Sequence, residues 1–245
     1  MSEIQNRVAL VTGGSRGIGT AVALALSRAG AAVAVNYHRH GDDAEAVAES
    51  IRTNGGRAAT FGADVSLSNA VKSMVHDVEE RLGPIDILVN NAGIAITRGL
   101  ADLTEDDFDR TIAGNLKSAF LCTQAVLEGM RARRWGRIVN ISSIGARLGA
   151  GSVSVAYGAS KAGLEGLTRA YALRLAAEGI TVNAVAPGLV DTEMGKPLIE
   201  AGVTARVPVG RAGTPDEIAQ AVVSVVANAY MTGQTIAVNG GSLFS

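Results

Sequence analysis

The stretch Val8-Ala-Leu-Val-Thr-Gly-Gly-Ser-Arg-Gly-Ile-Gly19 decides the fold, because it joins an apolar run directly to a glycine-rich turn. Its first four residues predict a buried strand, and the Ala- and Leu-rich residues up to Gly30 predict a helix. Glycines between a strand and a helix let backbone amides approach a pyrophosphate at the helix N-terminus. The turn is therefore interpreted as a nucleotide-binding element, with tight packing alone as the alternative.

Apolar runs and helical patterns alternate through the rest of the chain. Further strands are predicted at about 32–36, 57–63, 85–89, 137–141, 180–186 and 234–238. Further helices are predicted at about 42–53, 68–82, 104–134, 156–178 and 214–229. This alternation predicts an α/β fold, a Rossmann-type doubly wound sheet of seven parallel strands with helices on both faces.

We expect residues 1–245 to form a single domain. The nucleotide-binding part is predicted at about 7–143, and the catalytic and substrate part at about 143–245. Glycines and prolines punctuate the segment 187–210, which is a candidate lid over the site.

Composition limits the class of protein. The 245 residues are 47% hydrophobic with a net charge of −1, so neither a nucleic acid nor a membrane is predicted as a partner. The one cysteine, Cys122, excludes an internal disulfide and fits a reducing compartment. The first residues lack the apolar core of a signal peptide, and no apolar run reaches the length of a membrane span. We therefore expect a soluble, cytoplasmic protein.

The end of the second strand bears on the choice of cofactor. An NAD site usually has an acid there, which accepts from the ribose 2′-hydroxyl. Here the residues are Asn36-Tyr-His-Arg-His40, without an acid. Arg16 and Arg39 could together bind a 2′-phosphate, or both could be solvated surface groups. The sequence thus favours NADP(H), and no metal site is predicted because His38 and His40 have no third ligand nearby.

Tyr157 and Lys161 lie four residues apart in a predicted helix, so their side chains share one face. An ammonium near a phenol favours the phenolate, which makes the pair a plausible general acid and base. A half-buried tyrosine with a solvated lysine is the alternative. Several other polar residues and turns follow strands, where ligands bind in such sheets: Asn36, Asp64, Asn90, Ser143 and Pro187.

The motifs occur in an order that resembles the short-chain dehydrogenase/reductase family, across essentially the whole chain. They are Thr12-Gly-x-x-x-Gly-x-Gly19, Asn90-Asn-Ala-Gly93, Asn115, Ser143, Tyr157-x-x-x-Lys161 and Pro187-Gly188. Within that family the chain is most similar to the 3-oxoacyl-acyl-carrier-protein reductases. Support comes from Asn36-Tyr37 and from the segments 138–143 and 187–192.

The resemblance implies a catalytic role for four residues. Tyr157 would exchange a proton with the substrate oxygen, and Ser143 would polarise that oxygen. Lys161 would lower the pKa of Tyr157 and hold the nicotinamide ribose. Asn115 would position a water that relays protons toward Lys161.

The resemblance also implies contacts with NADP(H). Asp64 and Val65 would meet the adenine, and Val190 and Thr192 the nicotinamide amide. The complete set of expected cofactor residues is Gly13, Ser15, Arg16, Gly17, Ile18, Gly19, Asn36, Tyr37, Arg39, Asp64, Val65, Asn90, Ala92, Gly93, Tyr157, Lys161, Pro187, Gly188, Val190 and Thr192.

Two departures from the pattern leave the substrate open. One extra residue lies between Ser143 and Tyr157, within 149–155, so the pocket could differ and Ser142 is a minor rival for the catalytic serine. Arg133 and Arg134 fit a docking position for an acidic acyl carrier protein, or they could simply complement a helix end. Glu178 stands where another basic residue is common, which weakens the reading of a carrier-protein partner.

We expect an enzyme acting on a small-molecule carbonyl or alcohol, with a 3-oxoacyl thioester favoured and another ketone, sugar or alcohol as the alternative. A non-catalytic nucleotide-binding regulator on the same fold is the rival from another class. A Ser-His-Asp hydrolase is disfavoured, because there is no Gly-x-Ser-x-Gly and all three histidines precede Ser143. The resemblance and the apolar long helices further predict a homotetramer.

Overall fold

The computed structural model describes residues 3–150 and 153–244. Seven strands form one parallel sheet in the order β3-β2-β1-β4-β5-β6-β7. They are β1 (Val8–Val11), β2 (Ala32–Tyr37), β3 (Ala58–Gly62), β4 (Ile85–Asn90), β5 (Gly136–Ile141), β6 (Ile180–Pro187) and β7 (Thr235–Val238). The predicted doubly wound sheet is confirmed, and every predicted strand agrees with the structure within one residue at each end.

The helices are α1 (Gly17–Arg28), α2 (Gly41–Thr53), α3 (Ser68–Leu82), α4 (Glu105–Ile112), α5 (Ser118–Arg133), α6 (Gly145–Leu148), α7 (Val155–Leu175), α8 (Lys196–Glu200) and α9 (Pro215–Ala227). A π-helical turn, Ala113–Lys117, joins α4 to α5. The short helices α6 and α8 were not predicted, because four or five residues carry too little periodicity to be recognised.

Helices cover both faces of the sheet because strand side chains alternate. In β1, Ala9 and Val11 belong to the core formed with α1, α2 and α9. Val8 and Leu10 face the other core, which is formed with α3, α5 and α7. Strands buried on both faces explain why they read as continuous apolar runs rather than as alternating patterns.

The helix starts predicted near residues 104 and 214 are confirmed, and a cap explains each of them. Thr104 and Asp107 form a capping box at α4, and Thr214 and Glu217 form one at α9. In each box the threonine hydroxyl accepts from the backbone amide three residues on, which satisfies a donor that the helix leaves free.

The order of the strands creates the crevice that holds the site. The chain passes from β1 outward to β2 and β3, and then returns to place β4 on the other side of β1. Helices therefore leave the carboxyl ends of β1 and β4 in opposite directions, which opens a crevice between them. None of the helices in the described residues is both long and apolar enough to cross a membrane.

Candidate active site

The turn after β1 is shaped by glycines that no other residue could replace without strain. Gly13 and Gly17 have φ values of +61° and +56°. A Cβ on Gly19 would lie 2.2 Å from the Gly13 carbonyl oxygen. Arg16 at the N-cap of α1 offers no side-chain cap within the described part of the chain, so first-turn amides stay available to an anion. The turn therefore fits the pyrophosphate of a dinucleotide.

Asn36 explains why no acid ends the second strand. Its side-chain oxygen accepts from the Gly13 amide at 3.2 Å, and its backbone oxygen accepts from the Gly14 amide at 2.8 Å. Its side-chain nitrogen donates to the carbonyls of Phe61 and Ala63 at 3.1 and 3.2 Å. A carboxylate could not make both kinds of bond. The buried Asn36 side chain is thus committed to holding the glycine turn against β2 and β3.

Thr12 and Asn91 hold the same turn against the chain after β4, although the resemblance implied that residues 90–93 meet the adenosine ribose. The Thr12 hydroxyl accepts from the amides of Asn91 and Ala92, each at 3.0 Å. The Asn91 side chain donates to the carbonyls of Thr12 and Gly13, each at 2.9 Å. Both residues lie within motifs quoted above, but only three-dimensional proximity reveals that they bond to each other.

Asn90 was expected beside the cofactor, and its side chain lies in the interior. It donates to the side-chain oxygen of Asn140 at 2.8 Å, and Asn140 donates to the Thr168 hydroxyl at 2.8 Å. This buried chain of amides links β4, β5 and α7 beneath the crevice. The side chain of Asn90 therefore aligns the elements that carry the site.

Asp64 lies at the end of β3, where the adenine contact was predicted. Burial alone would raise the pKa of Asp64, but hydrogen bonds from the Ser66 hydroxyl and amide, aided by nearby His38 and Arg39, lower it below its ordinary value. Tyr37 packs against Gly62, since a Cβ there would lie 3.1 Å from the Tyr37 hydroxyl. Arg39 is exposed beside this edge, and Val65 is buried.

Ser143, Tyr157 and Lys161 are brought together at the carboxyl end of β5. Tyr157 is half-buried, and the Ser143 hydroxyl is close enough to lower its pKa. The Lys161 Nζ is buried, donates to the Ile141 carbonyl at 2.7 Å and lies 5.7 Å from the centroid of the Tyr157 ring. The predicted convergence of these three residues is thus seen in the structure.

The predicted lowering of the Tyr157 pKa by Lys161 is wrong. Burial raises the pKa of Tyr157, and the hydrogen bond from Ser143 offsets only part of that rise. Burial also lowers the pKa of Lys161 to about 8. Desolvation, which disfavours the charged form, is the largest cause of each shift.

The structure separates the two candidate serines. The Ser142 hydroxyl is buried and hydrogen-bonds to the Glu165 carboxylate at 3.2 Å and to the Lys161 carbonyl at 3.3 Å. The Ser143 hydroxyl accepts from the Gly145 amide at 3.0 Å and reaches Tyr157. Only Ser143 is therefore placed to touch the same atom as Tyr157.

Asn115 lies in the π-helical turn, a feature that often occurs at functional sites. Its side-chain oxygen accepts from the Ile94 amide at 2.7 Å, and its nitrogen donates to the Ser160 hydroxyl at 3.0 Å. Asn115 and Lys161 both lie close to Gly93. A Cβ atom on Gly93 would lie 3.1 Å from the Asn115 side-chain oxygen and 3.6 Å from the Lys161 Nζ. Asn115 thereby joins the chain after β4 to α7.

The chain after β6 closes the other side of the crevice. Gly188 donates to the Val238 carbonyl at 2.9 Å, and Val190 pairs with Gly213. Thr192 packs against the glycine turn, because a Cβ on Gly17 would lie 3.2 Å from its methyl group. Ile18 packs on the core beneath α1. Thr192 thus borders the same crevice as the turn that contains Ser15, and Pro187, Gly188 and Val190 lie in the chain that leads to it.

The lengthened loop between Ser143 and Tyr157 is partly outside the described residues, because Gly151 and Ser152 fall there. Its described end contacts the chain after β4, where the Arg98 amide donates to the Val153 carbonyl at 3.3 Å. These two loops therefore meet just before the amino end of α7.

The arginines near the end of α5 have partners within the chain. Arg131 pairs with Glu178 at 2.8 Å, and Arg133 pairs with Asp86 at 3.4 Å. Arg134 donates to the Ala177 carbonyl at 2.9 Å. These arginines lie by the amino ends of the strands. Tyr157 lies by the carboxyl ends, at the opposite edge of the sheet. This supports the interpretation of the cluster as a helix end.

A turn suited to a pyrophosphate and a serine, tyrosine and lysine beside it define a nucleotide-dependent oxidoreductase site on a doubly wound sheet. The family model described as short chain dehydrogenase matches residues 7–202. The chain belongs to this family, and it is an enzyme whose class uses a nicotinamide cofactor. These findings favour an enzyme over a non-catalytic regulator.

Relatives match the chain along its whole length. It is 43% identical to the 3-oxoacyl-acyl-carrier-protein reductase FabG of Pseudomonas aeruginosa, over 99% of both chains. It is 46% identical to an acetoacetyl-CoA reductase of Shinella zoogloeoides, over 98% of this chain and 99% of the relative. It is 41% identical to the nodulation protein G of Azospirillum brasilense, over 97% of this chain and 98% of the relative.

Proposed function

We propose that the enzyme uses NADPH to reduce the 3-oxo group of an acyl thioester to a secondary alcohol. The observation that carries the proposal is the contact between Ser143 and Tyr157 beside the nucleotide crevice. The names of the first two relatives, which specify a 3-oxoacyl and an acetoacetyl thioester, support this substrate class.

Ser143 and Tyr157 would both contact the carbonyl oxygen of the substrate. Because burial raises the pKa of Tyr157, its phenol keeps its proton at neutral pH and can donate it as the oxygen gains negative charge. The Ser143 hydroxyl would donate a second hydrogen bond to the same oxygen. The cofactor, when bound, supplies the hydride. Lys161 would hold the nicotinamide ribose, and Asn115 would align the proton path toward Lys161.

NADP(H) is proposed over NAD(H), since Asn36 replaces the expected acid and Arg16 and Arg39 are exposed at this edge. Each arginine would make a charge-assisted hydrogen bond to the 2′-phosphate. The free energy of one such bond corresponds to about a tenfold change in the affinity for NADPH. Replacing both by alanine should weaken NADPH binding about 100-fold and leave NADH binding nearly unchanged. Fluorescence titration of both cofactors measures this. Tighter NADH binding by the natural enzyme, or an unchanged preference in the double variant, would contradict the assignment.

The substrate proposal is tested by NADPH consumption with acetoacetyl groups on a small thiol and on acyl carrier protein. Because Arg131, Arg133 and Arg134 have internal partners, we expect reduction of the small thioester and little gain from the carrier. An electrostatically steered partner would instead give a kcat/KM that falls steeply with salt. A large, salt-sensitive advantage for the carrier would refute this expectation. Inactivity toward both thioesters would move the assignment to another ketone, sugar or alcohol.

We also propose that the enzyme is a homotetramer. Phe120 on α5, Leu173 on α7 and Phe244 near the C-terminus are exposed apolar side chains. Closed symmetric assembly is the usual way to cover such surfaces in homo-oligomers. Light scattering at micromolar concentration should give a tetramer mass, and a monomer mass would end the proposal.

A further inference from the structure

The arginine of the glycine turn has an anionic partner in the chain itself. A terminal nitrogen of Arg16 is in hydrogen-bonding contact with a carboxylate oxygen of Glu193, which follows β6. The proposed function gives Arg16 the 2′-phosphate of the cofactor, and the role of Glu193 rests on that function. Glu193 therefore engages one of the guanidinium nitrogens that are available to an incoming phosphate.

The backbone on each side of Glu193 is fixed, so the contact does not depend on a freely moving loop. Thr192 packs on Gly17, and its hydroxyl accepts from the Gly195 amide at 3.1 Å. A Cβ on Gly195 would lie 2.0 Å from the Val190 carbonyl oxygen, so the turn closes tightly around Glu193. The pairing of Val190 with Gly213 anchors its start. This short turn holds the carboxylate against the glycine turn.

We propose that Glu193 is a determinant of cofactor selection, because its carboxylate competes with the 2′-phosphate for Arg16. The two side chains are 43% and 65% exposed, so solvent screens the pair and a better anion can displace it. A phosphate monoester carries a charge of about −1.5 to −2 and three strong acceptor oxygens, against one charge on the carboxylate. A nucleotide without the 2′-phosphate leaves the pair intact.

Displacement of Glu193 from Arg16 also removes one of the contacts that hold the segment after β6 against the glycine turn. While the pair exists, the residues that open the segment 187–210 are tied to the glycine turn through both Thr192 and Glu193. A 2′-phosphate removes the second tie. Binding of the phosphorylated nucleotide is thus coupled to the freedom of this segment, whereas binding of the unphosphorylated one is not.

The test uses adenosine 2′,5′-bisphosphate and adenosine 5′-monophosphate, which differ only in the 2′-phosphate. In calorimetric titrations, Glu193→Gln should tighten the bisphosphate about 2- to 5-fold, the range expected for an exposed pair, and leave the monophosphate unchanged. In an Arg16→Ala background, Glu193→Gln should have no effect on either nucleotide. Hydrogen exchange of amides in 190–196 should rise with the bisphosphate but not with the monophosphate.

Glu200→Gln is the matched control, because Glu200 is an exposed acid in the same segment and its side chain makes no hydrogen bond or ion pair within the described residues. It should change neither affinity. Equal effects of the two substitutions, equal tightening of both nucleotides, or a full effect of Glu193→Gln without Arg16 would overturn the proposal as general charge removal. If the natural enzyme binds the bisphosphate no better than the monophosphate, the preference for NADP(H) itself fails, which is a separate result.

Discussion

Replacing Tyr157 by Phe is expected to lower kcat by about 100-fold or more, because the reaction loses its general acid. The phenyl ring keeps the packing of a half-buried side chain on α7, so only the hydroxyl and its contact with Ser143 disappear. Consumption of NADPH with an acetoacetyl thioester measures the loss. Turnover at the natural rate would end the assignment of Tyr157 as the proton donor.

Tyr171→Phe is the matched control for this prediction. Tyr171 is also on α7, and its replacement by Phe likewise removes one phenolic hydroxyl. In the natural protein that hydroxyl accepts a hydrogen bond from the Gln124 side chain at 2.7 Å. Burial raises its pKa as it does that of Tyr157. Activity should survive this substitution, and both variants should bind adenosine 2′,5′-bisphosphate as the natural enzyme does. A comparable loss in Tyr171→Phe would point to damage of α7 rather than to chemistry.

The sequence predicted the sheet well because buried parallel strands and amphipathic helices leave periodic patterns over short stretches. Helical spacing also predicted that Tyr157 and Lys161 share a face, and the end of the fifth strand placed Ser143 at the binding edge. That these three residues act together was implied by the resemblance to the family.

Contacts between distant residues left no such pattern. Thr12 and Asn91 are 79 residues apart, and Arg16 and Glu193 are 177 apart. Nothing near Glu193 in the sequence indicates that it would bind an arginine of the glycine turn. Likewise, the position of Asn36 at the end of β2 suggested cofactor binding. In the structure its side chain hydrogen-bonds to the backbone of Gly13 and Phe61 instead.

The direction of the Tyr157 pKa was missed for a related reason. The spacing of Tyr157 and Lys161 reveals a charge partner, but it does not reveal how deeply each group is buried. Lys161 is buried and Tyr157 half-buried, and the penalty for burying a charge is the largest cause of both pKa shifts. A predicted ion pair therefore does not fix the sign of a pKa shift until the burial of its members is known.

Lys161→Met is expected to stabilise the fold at pH 7 while it removes activity. The Lys161 ammonium is buried, its pKa is lowered to about 8, and its one direct hydrogen bond in the described residues is to the Ile141 carbonyl. With an unfolded pKa of about 10.4, holding the charged form in the fold costs roughly 3 kcal/mol at pH 7. Losing the hydrogen bond offsets about 1 kcal/mol, so a net gain of about 2 kcal/mol is expected.

The pH dependence identifies the cause of that gain. Because the native pKa lies below the unfolded one, the unfolded chain binds more protons between about pH 8 and 10.4, and natural stability rises relative to the Met variant across that window. The cost of the ammonium falls to roughly 1 kcal/mol at pH 9.5, so the difference between the two proteins should nearly vanish there. Urea unfolding at both pH values and equal protomer concentration measures this difference in stability.

Lys72→Met, which replaces an exposed lysine on α3, should show no such convergence. A Met variant that is less stable at pH 7, or a gap independent of pH, would show that Lys161 is not held at a cost to the fold.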